Sequence, residues 1–169
     1  MVQDLKSMSM WAKGAMTLFA AFAIYGAVSL GIMVADRQPP IFYIKASALS
    51  VSVPQGGTIE VEFEVERSRI CSSTVKRWLV DSAGTRHSIT NFTVGSNLKK
   101  GREVYQRSIT IPANAAVGTA YYEVKLEFAC NVIQRLGWTV KVNAPHIKFE
   151  ITPSTSLVPF QPPVFESMD

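Results

Sequence analysis

Hydrophobic and polar positions divide the chain into two regimes. From Gly14 to Ala35 the run GAMTLFAAFAIYGAVSLGIMVA carries no charged residue, and from Ala46 onward apolar positions recur at every second residue instead. The first regime predicts a single transmembrane α-helix over 14–35. Its twenty-two residues would rise about 33 Å as a helix, enough for a hydrocarbon core of about 30 Å. Lys13 closes the run on one side, Asp36 and Arg37 on the other. Within it, the small residues Gly26, Ala27 and Ser29 would let a second helix approach closely, although small residues are common in such segments for other reasons. Ala27-Val28-Ser29 also offers a small-x-small site of the kind that ends a signal peptide. The apolar run continues past it through Leu30, Ile32, Met33 and Val34, so a retained anchor is expected.

The second regime reads as short strands with one buried and one wet face. TIEVEFEV sets Ile59, Val61, Phe63 and Val65 against Glu60, Glu62 and Glu64. The preceding SALSVSV alternates as well, and PQGG between the two has the composition of a hairpin turn. Further strands are expected around Trp78, after a turn at Ser82 to Gly84, and along REVYQRSITIP up to Pro112. YYEVKLEFAC aligns Tyr122, Val124, Leu126, Phe128 and Cys130; LGWTVKV aligns Leu136, Trp138, Val140 and Val142; HIKFEI aligns Ile147, Phe149 and Ile151. A series of short strands spaced by turns predicts an all-β antiparallel sandwich or barrel. The expected organisation is a short cytosolic leader (1–13), the transmembrane helix (14–35), a linker (36–45), the β domain (46–152) and a proline-rich tail (153–169).

Composition agrees with that division. The chain is 47% hydrophobic but only 18% charged, which concentrates the apolar excess in the helix. A formal charge of +4 is basic enough to favour anionic surfaces and too diffuse to define a partner.

The order Cys71, Trp78, Cys130 resembles the immunoglobulin-like β-sandwich, in which a disulfide joins strands B and F beside a tryptophan on strand C. The resemblance spans roughly Ala46 to Ile151 and concerns architecture alone. The tyrosine-corner position, two before the second cysteine, is Phe128 here. Arg67 and Arg69 carry the buried parity toward Cys71, which requires a bulge or strand end and moves the thiols toward one end of the sandwich. The resemblance implies a Cys71–Cys130 disulfide, and with it an oxidising, periplasmic setting for the domain. Two unrelated buried thiols are the alternative.

Residues for catalysis are sparse. His87 and His146 are separated by several strands and are expected on solvated strand faces; no CxxC or HExxH spacing occurs. The carboxylates from Glu60 to Glu66 lie along one flat strand, which does not wrap an ion, and they read as a solvated face. No cofactor, metal site or small-molecule substrate is expected, and the chain is not expected to be an enzyme. Nucleic acid is not expected either, because no aromatic strip interleaves the basic residues.

Candidate partner contacts are Arg67, Arg69 and Arg77 in the ERSRICSSTVKR segment, and the apolar tail residues Leu157, Val158, Phe160, Val164 and Phe165. The expected function is a non-catalytic accessory subunit, anchored in the bilayer by one helix, that presents its extracytoplasmic domain to a membrane protein complex. An envelope metallochaperone or redox factor is the first alternative, and a phage- or mobile-element-encoded envelope surface protein the second.

Overall fold

The computed structural model describes residues 10–95 and 98–154. Helix α1 (Met10–Ala35) starts four residues before the expected span and buries none of its side chains. Lys13 therefore lies inside the helix, where its carbonyl accepts a bond from the Thr17 hydroxyl at 2.9 Å. The apolar helix is long enough to cross a bilayer. Gly26, Ala27 and Ser29 lie on its open length, and a Cβ added at Gly26 would meet nothing within 4 Å.

The rest is mostly β-sheet. In chain order the strands are β1 (Ile41–Ala48), β2 (Ser52–Pro54), β3 (Thr58–Arg67), β4 (Ser72–Val80), β5 (Arg86–Val94), β6 (Gly101–Thr110), β7 (Gly118–Ala129), β8 (Val140–Asn143) and β9 (Ile147–Thr152), with a one-turn helix α2 (Val132–Arg135) before β8. One sheet has the order β1-β3-β6; the other has β2-β9-β7-β4-β5, with β8 also paired to β7. Their inner faces share one core. Ile59, Val61, Phe63 and Val65 of β3 meet Tyr122, Val124, Leu126 and Phe128 of β7 from the opposite sheet. The Phe63 and Tyr122 rings stand 6.5 Å apart across the gap. Each such side chain contributes about 1.5–3 kcal/mol by leaving water.

Three expectations are corrected. The strand order begins at Ile41, inside the segment expected to be a linker, and Ile41 is buried. A register shift between Tyr43 and Lys45 interrupts the two-residue period there, so IFYIKASA does not read as an alternating strand.

The SALSVSV and TIEVEFEV segments do not form a hairpin. β2 runs parallel to β9 in one sheet, β3 lies in the other, and the turn between them carries the chain across. That turn demands glycine: Gly56 has φ 75°, and a Cβ on Gly57 would sit 2.9 Å from the Pro54 carbonyl oxygen. Pro54, with no N–H to offer, stands on an edge strand where none is needed.

Finally, Leu136 and Trp138 do not align with Val140 on an inner face. They follow α2 as exposed residues, and strand pairing resumes only at Val140.

The disulfide Cys71–Cys130 is present, with Cα atoms 4.7 Å apart. It does not cross between sheets as an immunoglobulin-type bridge would. β3 ends at Arg67, and the chain changes sheet over Ser68 to Ile70. Cys71 therefore opens β4, just beyond the Ser72↔Ala129 pair that ends the β4–β7 ladder. The bridge lies at one end of the body, inside one sheet. Trp78 is remote from it, under the Arg86 guanidinium at 4.2 Å.

A bridge closing a separation of 59 residues is worth about 4 kcal/mol in chain-entropy terms. Replacing Cys71 and Cys130 together by alanine is expected to remove about that much, seen as a lower urea midpoint, with a steeper slope because the unfolded chain is no longer cross-linked. An unshifted midpoint would contradict the assignment of stability to the bridge.

Candidate functional site

Two places gather polar side chains that the strands alone do not explain: the joint where α1 enters the β body, and a cleft between the two sheets.

At the joint, the last turn of α1 leaves carbonyls without intrahelical partners, and the body supplies donors. Asn131 Nδ2 donates to the Met33 carbonyl at 3.0 Å, and Gln134 Nε2 to the Asp36 carbonyl at 2.7 Å. Gln134 is only 1% exposed, and each of its polar groups is used. Its Oε1 accepts from the Cys130 N–H at 2.7 Å, and its own N–H donates to Asn131 Oδ1 at 3.0 Å. Across the same turn Arg69 Nη1 donates to both Asp36 carboxylate oxygens, at 2.9 and 2.7 Å, and its Nη2 to the Gln38 carbonyl. Arg37 donates to the Trp138 carbonyl at 3.0 Å and lies 5.7 Å from that indole ring. Charge-assisted pairs of this kind are about twice as strong as neutral ones. Arg69, expected to face a partner, is thus engaged within the chain.

The cleft lies between β1, β3 and β6 on one side and β4, β5 and β7 on the other, with a cavity of about 90 Å³. Arg67 and Arg77 line it, as does Arg107, against the single carboxylate of Glu103. The Arg67 side chain is 7% exposed and reaches Glu103 at 3.5 Å, while its Nε has no partner. Arg77 donates from Nε and Nη2 to the Thr90 carbonyl, at 3.1 and 2.5 Å, and lies 4.9 Å from the Phe92 ring centre. Arg107 lies 5.5 Å from the Tyr105 ring and 5.9 Å from that of Phe92. The Tyr43 hydroxyl, also buried, makes no hydrogen bond of good geometry; Tyr105 is its near neighbour. Burial pushes the Tyr43 phenol far above the usual tyrosine range, and Tyr105 beside it adds to the shift. Burial raises Tyr105 and Tyr122 as well. The phenols stay neutral and the guanidinium groups charged, so the cleft can attract and hydrogen-bond an anion.

The structure therefore separates the expected arginine group: Arg67 and Arg77 meet in the cleft and Arg69 serves the joint. Arg107 escaped the sequence reading. Its signal was the parity of β6, where Ile109 points inward and Arg107, Tyr105 and Glu103 must share its face. Leu157, Val158, Phe160, Val164 and Phe165 lie outside the described residues.

Several polar residues elsewhere are paired. Arg102 bonds Glu64, and Gln106 bonds Glu62 at 3.1 Å, so the middle of the acidic face of β3 is matched by β6, while Glu60 and Glu66 at its ends are exposed. His87 is not on a solvated face: it is largely covered and bonds Asp81 at 2.9 Å. His146 remains exposed, stacked on Tyr121 at 5.3 Å. Among the described residues no group of three or more His, Cys, Asp or Glu converges as a metal site.

No family model and no curated protein matches the chain. Among solved structures it is similar to the alkylpurine DNA glycosylase AlkC of Pseudomonas fluorescens, solved bound to DNA containing an abasic site analog. That match has 14% identity and a TM-score of 0.44, and covers 73% of this chain and 33% of that one. It is also similar to a CARDB domain from Pyrococcus furiosus, solved in complex with di-metal ions, at 16% identity and a TM-score of 0.35, covering 65% of this chain and 86% of that one.

Asp81 provides a test of the loop network that holds the far end of the body. Burial pushes its carboxyl up, but the Ala116 N–H, His87, and the Thr85 and Ala83 N–H groups together hold it at about 2. With the unfolded value near 3.9, its contribution of about 2 kcal/mol is complete above roughly pH 5 and fades as pH falls toward 2. Asp81→Asn is expected to destabilise the protein by about that amount at neutral pH and by progressively less on acidification. Urea unfolding at a series of pH values checks it; a gap that stays constant with pH would count against the charge.

Proposed function

We propose that this chain is a non-catalytic, single-pass membrane protein whose helix α1 holds an immunoglobulin-like sandwich on the extracytoplasmic side, in a fixed pose, for contact with a membrane protein complex. The observation that carries the reading is the joint. The end of an apolar helix long enough to span a bilayer is bonded directly into the β body through Asn131, Gln134 and Arg69. A freely swinging domain needs no such bonding; a domain offered at a set height and angle does.

Four further features support it. The order β1-β3-β6 beside β2-β9-β7-β4-β5 would suit strands A-B-E beside A′-G-F-C-C′ in an immunoglobulin-like reading. The Cys71–Cys130 bridge favours an oxidising compartment. Around the helix exit, exposed Val132, Leu136 and Trp138 stand beside Arg37 and Arg135, the mixture of apolar, indole and cationic groups that suits a membrane–water interface. Small residues at Gly26, Ala27 and Ser29, open on the helix, would suit a neighbouring helix. Confinement near the bilayer would raise the effective concentration of the domain for membrane neighbours.

Cross-linking in native membranes, followed by solubilisation, is expected to recover the full-length chain with an integral membrane partner. Recovery of the chain alone, or of a mature form beginning after Ser29, would overturn the anchored-subunit reading.

The rigid pose has its own test. Spin labels at Ala20 and Ser108 are expected to give a narrow distance distribution in bilayers, broadened by Asp36→Ala with Arg69→Ala. An equally broad distribution in the unsubstituted protein would refute a fixed joint.

A further inference from the structure

The interior of the β body is apolar on one side only. Toward β7 and β9 it is filled by side chains such as Leu79, Phe128 and Ile151. Toward β5 and β6 the inward positions carry Arg77, Arg107, Glu103 and Tyr105, and Arg67 lies behind them. Filling that space with apolar residues would avoid desolvating charge, and a buried ion pair is weak evidence for stability in its own right. Three guanidinium groups against one carboxylate leave a formal excess of two positive charges around the cavity. Arg67 is nearly buried and its Nε is unpartnered; the buried Tyr43 hydroxyl has the Tyr105 hydroxyl as its neighbour but no hydrogen bond of good geometry. Both atoms belong to residues that line the cleft, set just behind its accessible wall.

We infer that this cleft binds a carboxylate, held by Arg67, Arg107 and the Tyr43 hydroxyl, with its alkyl stem against the aromatic wall. The cavity's size sets the class. About 90 Å³ is the space of roughly three water molecules and well below the ~300 Å³ at which drug-sized pockets begin. The side chain of aspartate or glutamate has the right bulk to enter whole, whereas a nucleotide or sugar could enter only in part. Guanidinium forks match a planar carboxylate, and the rings of Phe63, Phe92 and Tyr105 flank the space where methylene groups would lie. The same chemistry could come from an acidic side chain of a partner polypeptide or from a free carboxylate of similar size. The inference is independent of whether α1 crosses a membrane.

The test uses the full chain in zwitterionic detergent with ¹⁵N-labelled arginine, following the Nε–Hε resonances. The titrants are sodium acetate, the capped peptide acetyl-Gly-Glu-Gly-amide, its Gln counterpart, and chloride and phosphate at matched ionic strength. The expected result is a saturable shift of the Arg67 resonance with a carboxylate and not with chloride or the Gln peptide. A response to acetate and peptide alike assigns a small free carboxylate; a response to the Glu peptide alone assigns a partner's acidic side chain. Arg107→Gln, at a residue on the solvent-exposed rim of the cleft and outside the apolar core, is expected to weaken binding about tenfold or more, the fold-change carried by one hydrogen bond to a charged group. Tyr43→Phe, which keeps the ring, should weaken it in the same direction. Responses no larger than with chloride, saturation by phosphate at lower concentration than by either carboxylate, or unchanged binding in Arg107→Gln would each overturn the proposal.

Discussion

The end of the body at which β4 and β7 are covalently joined governs how the rest is arranged. Cys71 and Cys130 extend the ladder between these strands by one covalent rung. The backbone N–H of Cys130 is in turn held by the side chain of Gln134. Because Gln134 also donates to the Asp36 carbonyl, the bridge, the one-turn helix and the exit of α1 form one connected unit. Removing the Gln134 side chain would strip a buried N–H and a helix-end carbonyl of their partners together, which is costlier than losing either bond in water. This end is held by connection as well as by apolar burial, since Cys71, Phe128 and Val140 belong to the core.

The two sheets divide their labour differently along their width. β3 and β7 face each other with uninterrupted apolar rows, and that contact sets the spacing of the sheets. β6 continues the first sheet but changes chemistry, so the sheets remain apart where β5 and β6 form the flank. The cavity follows from this: a spacing imposed by large side chains on one side is kept on the other, where arginines and tyrosines stand end to end without filling it. Burial keeps the phenols neutral, so no negative charge from them quenches the guanidinium field.

Legibility in the sequence tracks how local the deciding interaction is. β3 and β7 were readable because one face of each is buried along most of its length, and Ile59 to Val65 and Tyr122 to Phe128 kept strict alternation. β1 was not, because the irregularity at Tyr43 to Lys45 breaks the period within four apolar residues. The stretch after Cys130 was misread for the opposite reason: Leu136, Trp138 and Val140 alternate by accident of composition. Asn131 and Gln134, three residues apart, carry the helix-capping pattern that distinguishes this segment, and the Asn131 side chain does accept from the Gln134 N–H. The disulfide was legible as a pair but not as a position, since its place depends on where the chain changes sheet after Arg67. The joint and the cleft depend on residues separated by tens of positions, such as Asp36 with Gln134 and Tyr43 with Arg107, and no local period records such meetings.

Were the joint as stiff as proposed and α1 set in a bilayer, the body would act as a lever. The ten residues of β3 span about 33 Å from the helix exit to the turn at Gly56. A tilt of α1 by about 20°, ordinary for a bilayer-spanning helix, would carry that turn sideways by about 11 Å. Bilayer thickness or a neighbouring helix would then steer the outer tip of the protein without touching it, and the few bonds at Asp36 would decide whether that motion is transmitted or lost.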